Sequence, residues 1–281
     1  MAVSPRAPAA RPRRLLSERL GARFDEVRAE GRAGLIPFIT AGDPSGAFTG
    51  KAIRVLDRPG VAAIEVGVPF SDPLADGPTI QRSSERALAA GATLRGTLLI
   101  VERVRDEVEA PIVLMSYLNP ILRFGIERFA DQASRAGVDA VIATDLPVEE
   151  SAGYRAALSA RGIGTVFLAA PTSPPARIAL IARACTAFLY YVSLTGVTGA
   201  RRSLERGLFG RLAAVRARTR KPLAVGFGVS TPGHVRALAP HCDAVVVGSA
   251  LVRAIEGAGT DRTRLASLER EVDALLAGRE R

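Results

Sequence analysis

Eight short apolar runs recur along the chain, each followed by a longer segment of helical periodicity, and this alternation constrains the fold more than any other feature. The runs are Leu35–Thr40, Ala63–Val68, Pro111–Ser116, Ala140–Thr144, Gly164–Ala169, Ala187–Val192, Pro222–Gly226 and Ala244–Val247. Helical spacing fills the intervals at Ala47–Asp57, Ser83–Ala90, Thr93–Val108, Ile126–Ala136, Glu149–Ala160, Pro174–Ala184, Leu204–Thr219 and Pro232–Leu238. A further helix is expected ahead of the first strand, at Leu15–Glu30, and another at Asp261–Leu276. Strands apolar on both faces need cover on both sides, and intervening helices supply it, so the pattern predicts a parallel sheet of the α/β class. Eight such repeats in 281 residues fit a closed (β/α)8 TIM barrel, with an open doubly wound sheet as the alternative. Neither a Pro/Gly/Ser linker nor a composition break divides the chain, so residues 15–281 read as a single barrel domain with an extra N-terminal helix. Residues 1–14, ending in Arg11-Pro12-Arg13-Arg14, form a basic Pro/Ala tail that lacks the apolar stretch of a secretion signal and is expected to be disordered.

Composition narrows the function classes. With 48% apolar residues the chain can bury a core, yet no apolar run approaches the roughly 18 residues of a membrane span. Only Cys185 and Cys242 are present, each in an apolar stretch, which points to buried free thiols and a cytoplasmic protein. The net charge of +10 is almost all arginine, since Lys51 and Lys221 are the only lysines. These arginines are scattered over helical segments without interleaved aromatics, so a nucleic-acid partner is not expected.

In a barrel of this kind, chemistry sits where strands end and the following loops begin. The second strand runs into Glu65-Val66-Gly67-Val68-Pro69-Phe70-Ser71-Asp72-Pro73-Leu74-Ala75-Asp76-Gly77-Pro78-Thr79, a loop too rich in carboxylates, prolines and glycines to be a simple connector. Glu65 interrupts an apolar strand. A carboxyl group buried there has a raised pKa and can serve as general acid and base near neutral pH, or it can be a structural glutamate held by a hydrogen-bond partner. Gly196-Val197-Thr198-Gly199, Gly226-Phe227-Gly228 and Gly248-Ser249 follow the last three strands, the last at an expected helix start. Glycines admit close approach of an anion, and helix N-terminal N–H groups bind phosphate without a lysine. Lys51 falls in a helix and Lys221 at the opposite end of the barrel, leaving no lysine for a Schiff base. His234 and His241 flank the helix after the seventh strand with no ligand cluster beside them, so no metal site is expected and His234 reads as a helix-surface residue.

The run from Glu65 to Thr79, continued by Ile80-Gln81, resembles the signature of the tryptophan synthase alpha-subunit family. The resemblance extends through Pro37-Phe38-Ile39-Thr40-Ala41-Gly42-Asp43-Pro44, Tyr117-Leu118-Asn119-Pro120, Asp145-Leu146-Pro147-Val148-Glu149-Glu150, Tyr190-Tyr191-Val192-Ser193 and the glycine-bearing loops already quoted. It implies cleavage of indole-3-glycerol phosphate to indole and glyceraldehyde 3-phosphate in tryptophan biosynthesis, with indole passed to a β subunit in an α2β2 heterotetramer. It also implies that this chain has no cofactor and that pyridoxal phosphate belongs to the partner. By the same resemblance Glu65 is the acid/base and Asp76 accepts the indole N–H. Phe38 and Tyr190 border the indole pocket, Thr198 closes toward Asp76, and Gly199, Phe227, Gly228, Gly248 and Ser249 bind phosphate. Leu194, where some members carry arginine, and Asp57-Arg58-Pro59-Gly60 ahead of the second strand depart from the family pattern.

Overall fold

A computed structural model describes residues 16–192, 207–226, 228–257 and 259–279. The basic tail over 1–14 and the loop positions Leu194, Thr198, Gly199 and Phe227 lie outside the described residues. Eight strands, β1 (Gly34–Thr40), β2 (Ile64–Gly67), β3 (Ile112–Ser116), β4 (Ala140–Ala143), β5 (Gly164–Ala169), β6 (Leu189–Val192), β7 (Leu223–Gly226) and β8 (Ala244–Val247), pair in parallel in chain order. The last strand pairs back onto the first, with Leu35 opposite Val245, and the barrel is closed. Around it run α1 (Leu16–Ala29), α2 (Gly46–Leu56), α3 (Pro78–Ala89), α4 (Leu94–Val104), α5 (Leu118–Phe124) and α6 (Ile126–Ala136). The series continues with α7 (Ala152–Ser159), α8 (Pro175–Ala184), α9 (Leu208–Arg216), α10 (Pro232–Leu238), α11 (Ser249–Glu256) and α12 (Asp261–Leu276). Among the described residues no helix is long and apolar enough to cross a membrane.

Every expected strand is present, its ends within a residue or two of the sequence reading. The helices depart more, for local reasons. Helix α3 begins at Pro78 rather than Ser83, because a proline with φ already near the helical value suits the first helical position and Gly77 caps it. Helix α4 stops at Val104 and tightens into a 3-10 turn at Arg105–Glu107, while Val148–Glu150 is a separate 3-10 turn ahead of α7. Helix α5 was not anticipated; Pro120 sits in its first turn, where no intrahelical N–H is needed, so the proline that reads as a breaker is harmless there. Caps fix the better-predicted starts, with Ser45, Thr93 and Thr231 accepting from the N–H groups of Phe48, Gly96 and His234.

The core has two layers separated by the sheet. Outward-facing strand residues such as Leu35, Ile39, Val66, Leu114 and Val225 pack against the helices, and inward-facing ones such as Ile36, Val113, Ile142, Val166, Phe188 and Ala224 fill the barrel. Helix α1 closes the N-terminal mouth: Leu20, Phe24 and Val27 join the inner layer, with the Phe24 and Phe188 ring centroids 5.7 Å apart. Charged groups fasten this plug. Arg28 donates to Asp243 at 3.0 Å, and Asp243 in turn accepts the Leu223 N–H at 2.7 Å. Arg19 lies 3.5 Å from Asp139, which accepts the Ile112 N–H at 2.7 Å. The unusual Asp57–Gly60 segment serves the same face. Asp57 accepts the N–H groups of Glu109 and Ala110, and Arg58 reaches Glu269 and Asp273 on α12. Gly60, at φ +87°, leaves room for the Arg279 guanidinium, which a Cβ would strike at 1.5 Å.

Phe24→Ala should cost about 3–5 kcal/mol of stability through the cavity it leaves. Denaturant melting should reveal the loss.

Candidate active site

At the C-terminal rim the inward-facing positions stop being simple aliphatic filling. Phe38 on β1 stands in register with Glu65 on β2, and Glu65 in turn with Val113 on β3. Two glycines admit the Phe38 ring: a Cβ on Gly67 would lie 2.6 Å from it, and one on Gly248 3.2 Å. A third, Gly226, makes room for Tyr190, whose hydroxyl a Cβ would meet at 2.4 Å. So part of the glycine pattern at the strand ends serves aromatic packing rather than an open backbone.

Phe38, Glu65, Tyr190 and Gly248 line a cleft that also includes Asp76, Gly228 and Ser249. The structure therefore brings together Phe38, Glu65, Asp76, Tyr190, Gly228, Gly248 and Ser249 from β1, β2, β6, the loops after β2 and β7, and the start of α11. Four further lining residues, Ile80, Met115, Val229 and Val246, were not singled out from sequence. Period-two alternation could have found two of them, since Met115 lies two residues beyond the inward-facing Val113 and Val246 two beyond Ala244.

Glu65 is buried, and its Oε2 has no hydrogen-bond partner among the described residues. Loss of solvation, reinforced by the nearby Asp76 charge, pushes its carboxyl up to about 8. Asp76 is brought under the rim by a tight loop in which its N–H donates to the Pro73 carbonyl at 3.0 Å and Gln81 Nε2 donates to its own carbonyl at 2.9 Å. Burial raises its carboxyl to about 6, and a hydrogen bond from Tyr117 opposes that rise. Asp72, in the same loop, is exposed. Tyr190 is buried beside both carboxylates, and burial first, then their charges, drives its phenol well above the ordinary range.

Helices α3 and α11 frame the cleft and are tied together behind it. Arg86 on α3 holds the buried Asp43 through two bonds of 2.9 and 2.7 Å and reaches Glu256 on α11 at 2.8 Å. At the front, α11 starts at Ser249 with Gly248 as its cap, and Gly228 has φ +83°. A helix N-terminus beside a left-handed glycine can present N–H groups to an anion.

His234 is not a surface residue, as the sequence reading had it. It is buried, its N–H bonded to the Thr231 hydroxyl and its Nδ1 accepting from the Ser230 N–H at 3.4 Å, so it closes the start of α10. Lys51 is paired with Asp261 on α12, at 3.0 Å, and both cysteines are buried free thiols. Among the described residues no three His, Cys, Asp or Glu side chains gather as metal ligands.

Residues 24–277 match the family model for the tryptophan synthase alpha chain. The chain is 51% identical over 238 residues to the tryptophan synthase alpha chain of Solibacter usitatus, covering 85% of this chain and 89% of that one. It is 50% identical over 259 residues to that of Geobacter sulfurreducens, covering 92% and 96%. Among solved structures, Mycobacterium tuberculosis tryptophan synthase superposes with a TM-score of 0.85 at 38% identity, over 92% of this chain and 97% of that one. The tryptophan synthase a2b2 complex of Pyrococcus furiosus gives 0.81 at 43% identity, over 86% and 97%. A closed barrel with two buried carboxylates at its C-terminal rim, and matches of this extent, lead to one conclusion: the chain belongs to the tryptophan synthase alpha chain family.

Proposed function

We propose that this chain cleaves indole-3-glycerol phosphate to indole and glyceraldehyde 3-phosphate, with Glu65 and Asp76 as its catalytic residues. The observation that carries the reading is the pair of carboxyl groups in one cleft with separated ionisation, about 8 for Glu65 and about 6 for Asp76. At pH 7 the first is an acid and the second a carboxylate, the division of labour the reaction needs. Glu65 donates its proton to C3 of the indole ring, which becomes a cationic iminium. Asp76 accepts the ring N–H and stabilises that charge. The Glu65 carboxylate then takes the hydroxyl proton from the carbon bonded to C3. The carbon–carbon bond breaks as the aldehyde forms, and its electrons return to the ring to give neutral indole. The ring itself is the electron sink, so neither a Schiff base nor a metal is needed.

Phe38 and Tyr190 border the indole, Thr198 closes toward Asp76, and Gly199, Phe227, Gly228, Gly248 and Ser249 receive the phosphate, with the α11 N-terminus as the main attraction. We further propose a β-subunit partner in an α2β2 assembly in the cytoplasm, with pyridoxal phosphate held by the partner. The contact falls on the loop after β2 and on α5, where Leu74 is 87% and Leu122 51% exposed. Stacking of Phe70 on Tyr117, with centroids 5.1 Å apart, joins those two segments.

Glu65→Gln should fold, bind substrate and lose about 10²–10⁴-fold in kcat. In the unsubstituted enzyme, kcat/KM should rise as Asp76 ionises near pH 6 and fall as Glu65 ionises near pH 8. Folding carries a linked effect. The folded protein keeps the Glu65 proton up to about pH 8, whereas an unperturbed glutamate releases it at 4.5, so stability contributed by this group declines as pH rises between those values. Thermal melts should accordingly show Glu65→Gln more stable than the parent above pH 8, although it is inactive. An active, unstabilised variant contradicts the assignment.

Ser249→Ala should raise KM by roughly two- to tenfold with kcat retained, the loss of one neutral hydroxyl among several donors. Gly248→Ala should affect both constants, because its methyl group would press on Phe38 at 3.2 Å as well as on the phosphate. Steady-state kinetics separate the two. Mixing with a β subunit should give a larger species on gel filtration and faster cleavage, and Leu74→Asp combined with Leu122→Asp should weaken both effects without altering the basal rate of the isolated chain.

A further inference from the structure

On the outer surface Arg54 faces Glu107, Arg161 faces Asp131 and Arg177 faces Glu149. One cleft departs from this pairing. It lies beside the N-terminal end of β7, between the last turn of α8 and the loop from α9 to β7, and is lined by Arg183, Arg218, Arg220 and Lys221 with Thr219, Pro222 and two alanines of α8. No lining residue is acidic, and among the described residues none of the four cations forms an ion pair. Arg183, Arg218 and Arg220 are exposed and Lys221 is half-buried. We infer that this cleft is an anion site, separate from the one at the C-terminal rim, for a ligand carrying two or three linked phosphates.

Helix ends account for part of this charge. Helices α8 and α9 both finish here, capped at Cys185 and Ala217, and each C-terminus carries about half a negative charge, so together they offset about one of the four positive charges. Arg218 serves its own helix, donating to the Ala214 carbonyl at 2.6 Å. The loop that follows is fastened from within: Arg216 donates to the Lys221 carbonyl at 3.1 Å and also bonds Asp243, and the Lys221 N–H donates to the Thr219 hydroxyl at 3.0 Å. The backbone is thus fixed, while the side chains of Arg183, Arg220 and Lys221 have no hydrogen-bond partner among the described residues. An excess of about three positive charges is more than one phosphate or carboxylate neutralises, and it suits a di- or triphosphate, whose oxygens match the guanidinium fork. No aromatic ring lines the cleft, so a nucleotide base has nothing to stack on and recognition stops at the phosphates.

The sequence supplies its own probe, because Lys51 and Lys221 are the only lysines and Lys51 is paired with Asp261 elsewhere on the surface. In the full chain grown with lysine carrying carbon-13 at Cε, NMR should show two signals, which Lys51→Arg assigns. Titration with inorganic tripolyphosphate at fixed ionic strength should move the Lys221 signal saturably and leave that of Lys51 in place. Arg183→Gln combined with Arg220→Gln should raise the midpoint about tenfold or more, as expected for loss of hydrogen bonds to a charged group, without changing kcat/KM for cleavage. Arg103→Gln, an exposed arginine on α4, should leave the midpoint where it was. ATP separates the two sources of the ligand: a midpoint like that of tripolyphosphate supports a nucleotide held by its phosphates alone, and a much weaker one supports an inorganic chain. A Lys221 signal that does not saturate, a Lys51 signal that moves with it, or an equal effect of Arg103→Gln overturns the inference. So does a single-stranded RNA that displaces tripolyphosphate at lower phosphate concentration, since that marks an extended nucleic-acid surface instead.

Discussion

The pairing of β8 with β1 is the constraint on which the rest of the molecule depends. Because all eight strands run the same way and the last hydrogen-bonds to the first, their C-terminal ends are collected on one circular rim. Closure seats Gly248 against the Phe38 ring, although they come from opposite ends of the sequence, and brings the first turn of α11 to the same cleft as Glu65. An open sheet would leave β1 and β8 with unpaired edges and no shared interior. The same closure creates an inner core that needs a lid at the N-terminal mouth, which α1 supplies with Leu20, Phe24 and Val27.

Two buried carboxylates, Asp243 at the N-terminal mouth and Glu65 at the C-terminal rim, stand in opposite surroundings. At the N-terminal mouth Asp243 accepts a strand N–H and faces Arg28 and Arg216, and these partners hold its carboxyl below the ordinary range despite burial. At the C-terminal rim Glu65 has Phe38 and Tyr190 as cleft neighbours, an acidic residue nearby and an oxygen without a partner. The first arrangement stabilises the fold. The second costs stability near and above neutral pH and leaves a proton available where a substrate can reach it. Between these two acids the contrast lies in their partners rather than in burial alone; Asp139, also at the N-terminal mouth, is pushed up to about 6 by burial even with Arg19 and Arg105 beside it.

Glycine had a double meaning along this chain. At Gly228 a positive φ requires it, beside the start of α11. At Gly67 and Gly226 the need is volume, since Phe38 and Tyr190 occupy the space a Cβ would take. Gly248 borders Phe38 and caps α11 in the same cleft, which links the shape of the aromatic wall to that helix start.

Much of the architecture was legible in the sequence, because apolar runs of strand length separated by helical periodicity have few ways to bury both faces of a sheet. Glu65 was legible for a similar reason, as a lone carboxylate in an otherwise apolar strand, and the run from Glu65 to Gln81 carried the family resemblance. Sequence left open whether Glu65 was paired, since a partner can come from any strand; only the closed barrel decides that its Oε2 has none among the described residues. It could not find that Tyr117 accepts the Ala75 N–H and so ties the loop after β2 to the end of β3, because the two are distant in the chain and meet only through the neighbouring ends of those strands. It misjudged His234, whose burial depends on how the loop ahead of α10 folds back over it. Local pattern determines which segments become strands and helices, but ionisation and hydrogen bonding depend on distances across the barrel, and those exist only once the tertiary structure has closed.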